Sequence, residues 1–346
     1  MNRRKFLTGA AAIAGLTATG IGEGQGPVGQ PPAGAGQAGG RGGRGRGGPA
    51  NVSAQKLARI GIMSLNHSSI IKLPWQEATP ERTLDIFDLP KYYVDVYGVR
   101  NVEFQSNHVA QNNDAPDLAY VKELRARLDA ADSKANQINI EIGTMAQMGP
   151  EGKAAALTGD ARTAWLARAK KWVDLAPVLG VTRLMHNQGA LTDDSKAGVI
   201  SLWKELQDYA RPKNVMISGE TRGSGFPTAG NRGQGPPPPP PSMSNQERLR
   251  YVWGILWECT QAAGGYTNLD FGGETRFHNQ QELHDAIKGL LPRSAGSMHT
   301  RISPTWDVGI AIRYAESIGY KGLYTIEVSQ DAAVRVIYNA ILANLA

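Results

Sequence analysis

A single cysteine, Cys259, stands in 346 residues. No intrachain disulfide and no cysteine-based zinc site can form from it. Residues 20–50 contain no aromatic residue and consist largely of Gly, Pro, Gln and Ala. Such a segment buries too little apolar surface to offset the entropy of ordering its backbone. Charge of either sign is also nearly absent in excess from most of the chain. The formal net charge is +6, but residues 1–50 carry +5 of it, with 16 of the 41 glycines. Residues 51–346 are left with +1. A body so close to neutral lacks the basic face that nucleic-acid binding requires. Its length suits one large domain or two small ones, with a sizeable core.

The basic excess has an address-like arrangement. Arg3-Arg4-Lys5-Phe6-Leu7 is a twin-arginine pattern. The apolar stretch from Leu7 to about Ala18 is too short and too rich in Ala and Gly for a membrane span. Charged start, short apolar middle and small residues near Thr17-Ala18-Thr19 predict an export signal over residues 1–20. The twin-arginine export machinery is then an expected partner. The expected location is periplasmic or otherwise exported, with retention by an uncleaved signal as a variant. Residues 21–56 read as a disordered Gly/Pro-rich tether. Within it, Arg41-Gly42-Gly43-Arg44-Gly45-Arg46-Gly47-Gly48 resembles an RNA-binding glycine-arginine box, but its place behind an export signal favours the tether.

From Leu57 onward, short β-like runs alternate with helical spacing. The runs are Arg59–Ser64, Asn101–Gln105, Gln137–Ile142, Thr182–His186, Val215–Ser218, Tyr266–Phe271, Ser297–Ile302 and Leu323–Val328. The helical segments that follow them are Thr83–Tyr97, Pro116–Ser133, Arg162–Leu179, Ser195–Ala210, Asn245–Ala263, Asn279–Leu290, Asp307–Ile318 and Ala332–Leu345. The strands are mostly continuous apolar runs, as a parallel sheet covered on both faces requires. Eight such units over residues 57–346 predict an α/β fold, a (β/α)8 TIM barrel. A doubly wound open sheet is the alternative, but no Gly-x-Gly-x-x-Gly turn follows the first strand. Residues 221–244 form a Pro/Gly-rich insert with six consecutive prolines, Pro236–Pro241. It follows the fifth strand, so it belongs at the C-terminal rim, as a tolerated insertion or as a lid or docking arm.

Barrel chemistry sits where strands end at the C-terminal face. Glu220, Asp270, His299 and Glu327 end four successive predicted strands, five to eight, and can converge on one point. Three carboxylates and one imidazole make an oxygen-rich site that suits Mn²⁺ or Mg²⁺ and admits Co²⁺, Fe²⁺ or Zn²⁺.

Segments around these residues resemble a known superfamily. They are Asn101-Val102-Glu103-Phe104-Gln105 with His108, Ile217-Ser218-Gly219-Glu220, Leu269-Asp270-Phe271-Gly272, Met298-His299-Thr300-Arg301, and Gly319-Tyr320-Lys321-Gly322-Leu323-Tyr324-Thr325-Ile326-Glu327. In order and spacing they resemble the sugar phosphate isomerase/epimerase superfamily, the xylose isomerase-like TIM barrels that include ketose 3-epimerases, and in particular its exported members. The resemblance implies that Glu220, Asp270, His299 and Glu327 bind one divalent metal, Mn²⁺ first. It also implies that Glu220 and Glu327 move the substrate proton. A proton α to a carbonyl is too weakly acidic to leave unaided. A metal on the carbonyl and hydroxyl oxygens stabilises the enediolate, while one carboxylate removes the proton and a second returns it.

The chain departs from many members at three places. Thr221-Arg222 follows the strand-five Glu in place of Asn-His, Gly273 replaces an Asn, and Arg301 replaces a Lys. Arg222 and Arg301 are therefore candidates for gripping a carboxylate, phosphate or sugar hydroxyl. His108, His186, Glu103 and Trp306 are further candidate substrate contacts. Each histidine has a plain alternative as a satisfied structural group. Outside the cytoplasm a free or oxidised sugar is the expected ligand.

The leading expectation is a metal-dependent isomerase or epimerase of a keto sugar or related polyol. Lyase-type cleavage of a 3-keto-glycoside on the same site and a non-catalytic sugar-binding barrel are the alternatives. A metal-dependent endonuclease would need more metal-binding histidines and a basic groove. The expected partner is a small carbohydrate and not nucleic acid, and a homo-oligomer is compatible with all of this.

Overall fold

The computed structural model describes residues 52–112, 117–149, 153–220, 253–271, 279–328 and 331–345, all within the unit Arg46–Ala346. The predicted export signal, most of the predicted tether and the proline-bearing insert lie outside the described residues.

Eight parallel strands form one sheet: β1 (Ile60–Met63), β2 (Asn101–Gln105), β3 (Lys134–Ile140), β4 (Arg183–His186), β5 (Met216–Glu220), β6 (Tyr266–Asn268), β7 (Ser297–Thr300) and β8 (Leu323–Ile326). The hydrogen-bonded order is β6-β5-β4-β3-β2-β1-β8-β7. The two ends of that order then meet. The His299 N–H donates to the Leu269 carbonyl at 2.8 Å, and the Phe271 N–H donates to the His299 carbonyl at 3.1 Å. Asp270 pairs with His299 across this seam. The sheet therefore closes into the predicted (β/α)8 barrel.

Each strand is followed by a helix of nine or more residues: α1 (Leu89–Tyr97), α2 (Leu118–Ala130), α3 (Gly159–Leu179), α4 (Asp193–Ala210), α5 (Ile255–Ala263), α6 (Gln280–Leu290), α7 (Val308–Ser317) and α8 (Asp331–Asn344). Local chemistry sets their ends. Asp117, Asn279 and Asp307 accept backbone N–H groups of the first turn, which satisfies donors a helix start leaves open. Gly98 and Gly180 close α1 and α3 with φ of 70° and 80°, a conformation glycine adopts without a Cβ penalty.

Some boundaries differ from the sequence expectation. The helix predicted from Thr83 starts at Leu89, because Pro90 lacks an N–H and is tolerated only in the first turn. The preceding residues form a short ladder, Leu84–Asp85 with Ile71–Lys72, and a 3-10 turn over Ile86–Asp88. Strand β3 begins at Lys134 rather than Gln137, across an irregularity opposite Val102 and Glu103. The expected tether ends earlier than Leu57. Ser53 caps a one-turn helix, Ala54–Leu57, and the Lys56 ammonium donates to the Leu345 carbonyl at 2.7 Å.

The strands separate two environments. Ile62, Phe104, Ile138, Leu184, Ile217 and Met298 are buried, with Trp165, Trp172, Trp203, Leu206 and Ile255 of the helices beside them in one apolar cluster. Burying each such side chain contributes roughly 1.5–3 kcal/mol. Trp257 of α5, by contrast, is exposed. The barrel interior is polar instead. Glu103, Gln137, Ser218, Asn268, Ser297, His299 and Thr325 are all fully buried. Gly61 belongs to this crowded interior: a Cβ there would stand 2.6 Å from Thr325 Oγ1.

Candidate metal centre

Alternation along the strands brings four expected residues together. Glu220 is the last residue of β5 and points the same way as Ser218, into the barrel. Asn268 pairs with Glu220, so Asp270, two residues on, points inward as well. His299 pairs with Thr325, and Glu327 stands two residues past Thr325. One ligand atom from each of Glu220, Asp270, His299 and Glu327 lies within 4.8 Å of the others, and all four residues are buried.

His299 is the pivot. Its Nδ1 faces two carboxylate oxygens, Glu220 Oε1 at 3.3 Å and Glu327 Oε2 at 2.5 Å. Only the first meets hydrogen-bond geometry; Glu327 Oε2 is buried with no hydrogen-bond partner among the described residues. Its Nε2 lies 2.8 Å from Glu103 Oε1. Arg301 closes the other side, with its Nε donating to Asp270 Oδ1 at 3.0 Å and its Nη2 paired with Glu327 Oε1. Gln188 Nε2 donates to the Glu220 carbonyl at 2.6 Å.

The electrostatics show what the cluster lacks. Four carboxylates, Glu103, Glu220, Asp270 and Glu327, stand around one guanidinium and one imidazole. Burial and the neighbouring Asp270 and Glu327 charges raise the Glu220 carboxyl above its ordinary range, against the pull of a hydrogen bond with His299. Burial acts the same way on Glu327, but His299 and Arg301 outweigh it and hold that carboxyl at about 2. Burial would lower His299, yet the Glu103 and Glu327 charges hold it well above the usual imidazole value. Buried carboxylates at this density need compensating positive charge. A divalent cation supplies it, and an oxygen-rich set with one imidazole fits such an ion. This buried group could bind a metal.

Other expected site residues fall elsewhere. Glu103 is fully buried and points at His299, and so is not open to substrate. His186 is a correction. It is fully buried between Trp165 and Trp203, with ring centroids 5.9 and 4.8 Å away. It points outward from β4 into the helix layer. Burial pushes it down to about 4, and neither ring nitrogen makes a hydrogen bond among the described residues. The Asn187 backbone offsets that burial only in part.

His108 is a satisfied structural group. Ser68 Oγ gives its proton to the Leu65 carbonyl at 2.9 Å, so it accepts from His108 Nε2, and the neutral ring's Nδ1 accepts from Ser64 Oγ at 2.8 Å. The Nε2 proton then faces Ser68 Oγ at 3.3 Å. Both nitrogens are engaged, and burial lowers this histidine to about 4 as well. Trp306 is also buried, edge-on to Phe271 at 5.6 Å, and is committed to packing. Arg222 lies outside the described residues. Gln137 and Asn268 were missed as site residues. Their signal was a polar side chain at inward positions of runs read as apolar.

No family model and no curated protein sequence matches the chain. Solved structures do. A sugar phosphate isomerase/epimerase from Parabacteroides distasonis superposes with a TM-score of 0.54 at 13% identity, over 85% of this chain and 94% of that one. A xylose isomerase domain protein from Planctomyces limnophilus gives 0.53 at 14% identity, over 83% and 98%. A xylose isomerase-like TIM barrel protein from Mycobacterium smegmatis, solved in complex with magnesium, gives 0.52 at 16% identity, over 85% and 100%. At these identities the likeness shows the fold alone, a (β/α)8 barrel similar to those of the xylose isomerase-like proteins.

Proposed function

We propose that the chain is a divalent-metal-dependent isomerase or epimerase acting on a keto sugar or related polyol. The observation that carries this reading is the convergence of Glu220, Asp270, His299 and Glu327 within 4.8 Å, buried at the C-terminal mouth of the barrel. Solved barrels of similar fold that bear isomerase/epimerase names, or that hold magnesium, support it. Mn²⁺ is the first candidate, with Mg²⁺, Co²⁺, Fe²⁺ and Zn²⁺ as alternatives.

When bound, a divalent ion at this site supplies a Lewis acid for the oxygen atoms of an α-hydroxy carbonyl compound. The protein's own groups do the rest. Glu220 and Glu327 come from β5 and β8, which are not neighbours in the sheet. One carboxylate takes the proton from the carbon beside the carbonyl, and the other returns a proton to the neighbouring or opposite position. Arg301 fixes Asp270 and one oxygen of Glu327, which leaves Glu327 Oε2 facing the centre. Cleavage of a 3-keto-glycoside begins with the same proton removal, so one experiment covers both reactions.

That experiment is hydrogen exchange. The metal-loaded protein is incubated in D₂O with a panel of keto sugars, and deuterium at the α carbon is read by mass spectrometry or NMR. Exchange that needs both the metal and Glu327 is expected. Binding of sugars with no exchange from any of them points to a sugar-binding barrel instead. We further propose that the protein is exported through its twin-arginine start. Fusing residues 1–56 to a reporter, with Arg3 and Arg4 replaced by Lys as the control, tests this by its location.

A further inference from the structure

We propose that Glu103 is a positioning residue for His299. It holds the Nε2 side of the ring, so that Nδ1 turns its lone pair toward a divalent cation shared with Glu220, Asp270 and Glu327. This inference rests on the metal reading above.

An imidazole ligates a metal through one nitrogen, and the partner of the other nitrogen fixes the ring and its tautomer. In this barrel the assignment follows from geometry. Nε2 lies 2.8 Å from Glu103 Oε1, and both side chains are fully shielded from solvent. A carboxylate accepts and does not donate, so each ring nitrogen that faces one holds a proton; a cation among Glu220, Asp270 and Glu327 would displace the one on Nδ1, and the one on Nε2 stays with Glu103. Nδ1 is the nitrogen that faces Glu220 and Glu327. Glu103 is thus the lever that decides which nitrogen is offered.

Glu103 is itself held. Gln137 Nε2 donates to Glu103 Oε1 at 3.1 Å and to Asn268 Oδ1 at 3.2 Å. Two acceptors on the same amide nitrogen fix which end of Gln137 is which. The string His299–Glu103–Gln137–Asn268 runs through the barrel interior from β7 to β2, β3 and β6. It returns to the strand whose end carries Asp270, so it ties the imidazole to the frame of another ligand. Glu103 Oε2 has no hydrogen-bond partner among the described residues. A buried carboxylate this short of donors is costly as a packing group alone. Its retention is understandable where it faces an imidazole that in turn faces a cation.

The test uses the full chain, with Zn²⁺ as the probe and calorimetry as the readout. Glu103→Leu is expected to bind Zn²⁺ about 10- to 100-fold more weakly than the unsubstituted protein. Glu103→Gln, whose amide oxygen still accepts from Nε2, is expected to fall between the two. With ¹⁵N-labelled histidine, the Zn²⁺-loaded protein should show the His299 proton on Nε2 and the metal on Nδ1. If Glu103→Leu does not fold, Gln137→Leu, which frees Glu103 without removing it, should weaken binding in the same direction by less. Unchanged Zn²⁺ affinity in the folded variants, or a proton on Nδ1 with zinc on Nε2, overturns the proposal. Asp270→Ala separates the two ideas. If it loses Zn²⁺ while Glu103→Leu keeps it, the metal reading stands and only the role of Glu103 falls. If Asp270→Ala binds as tightly as the unsubstituted protein, the metal reading falls and takes this inference with it.

Discussion

Two histidines near strand ends, both fully buried, meet opposite fates. His186 ends β4 and points outward, edge-on to two tryptophans, and burial pushes it down to about 4. His299 lies on β7 and points inward among carboxylates, which raise it well above the ordinary value. Burial is the same; the side of the sheet differs. The outer side is an apolar shell where a neutral imidazole serves as an aromatic filler. The inner side is a polar column where the same ring becomes an electrostatic partner. In a barrel strand a single residue step moves a side chain from packing to chemistry.

The sharpest way to break that comparison is to disable the inner side. Glu327→Gln should lower metal-dependent α-proton exchange by about 10²- to 10⁴-fold, whereas His186→Phe should leave it near the unsubstituted rate. Comparable losses in both variants would show that the two sides are not separate. Next comes the metal itself. His299→Ala should weaken Mn²⁺ binding by more than about 100-fold, beyond what loss of an outer partner costs, as read by calorimetry. At a hundredfold excess over its dissociation constant, Mn²⁺ should stabilise the unsubstituted protein by about 2.7 kcal/mol. That appears as a melting temperature raised by about 5 °C, and the shift should vanish in His299→Ala.

On the outer side, Trp203→Ala should destabilise the fold by about 3–5 kcal/mol, measured by denaturant unfolding. A smaller cost would mean that the layer around His186 is loosely packed.

The last effect is a pH dependence. His186 titrates near 6.5 when unfolded and at about 4 when folded. Its folded pKa is depressed, so the unfolded chain binds the extra proton first. The stability held above pH 6.5 is therefore lost as pH falls from 6.5 toward 4, by about 3 kcal/mol in all. His108 has a similar shift. His186→Phe should remove about half of this combined acid sensitivity, measured as unfolding free energy across that window.

The order of elements was legible because it rests on local rules. Apolar runs at strand length, with helical spacing between them, repeat eight times along the chain. The ladders Ile71–Lys72 with Leu84–Asp85 and Ala146–Met148 with Ala154–Ala156 were not legible, because two or three residues carry no period. The four candidate ligands were legible because a resemblance named them and each sits at or just past a strand end. Glu103 was found as a candidate but given the wrong neighbour. The distance from β2 to His299 on β7 depends on closure of the barrel, which no local pattern expresses.

What the sequence determined by itself is the alternation of eight strands and helices, the near-neutral body, and three acids with one histidine at four consecutive strand ends. Those properties are local or additive. That His186 packs in the helix layer, which acid stands behind the His299 ring, and which polar residues line the column were decided only by the tertiary structure. Each depends on the pleat phase of a strand and on how the first and last strands of the sheet meet, and both are set by packing between residues distant along the chain.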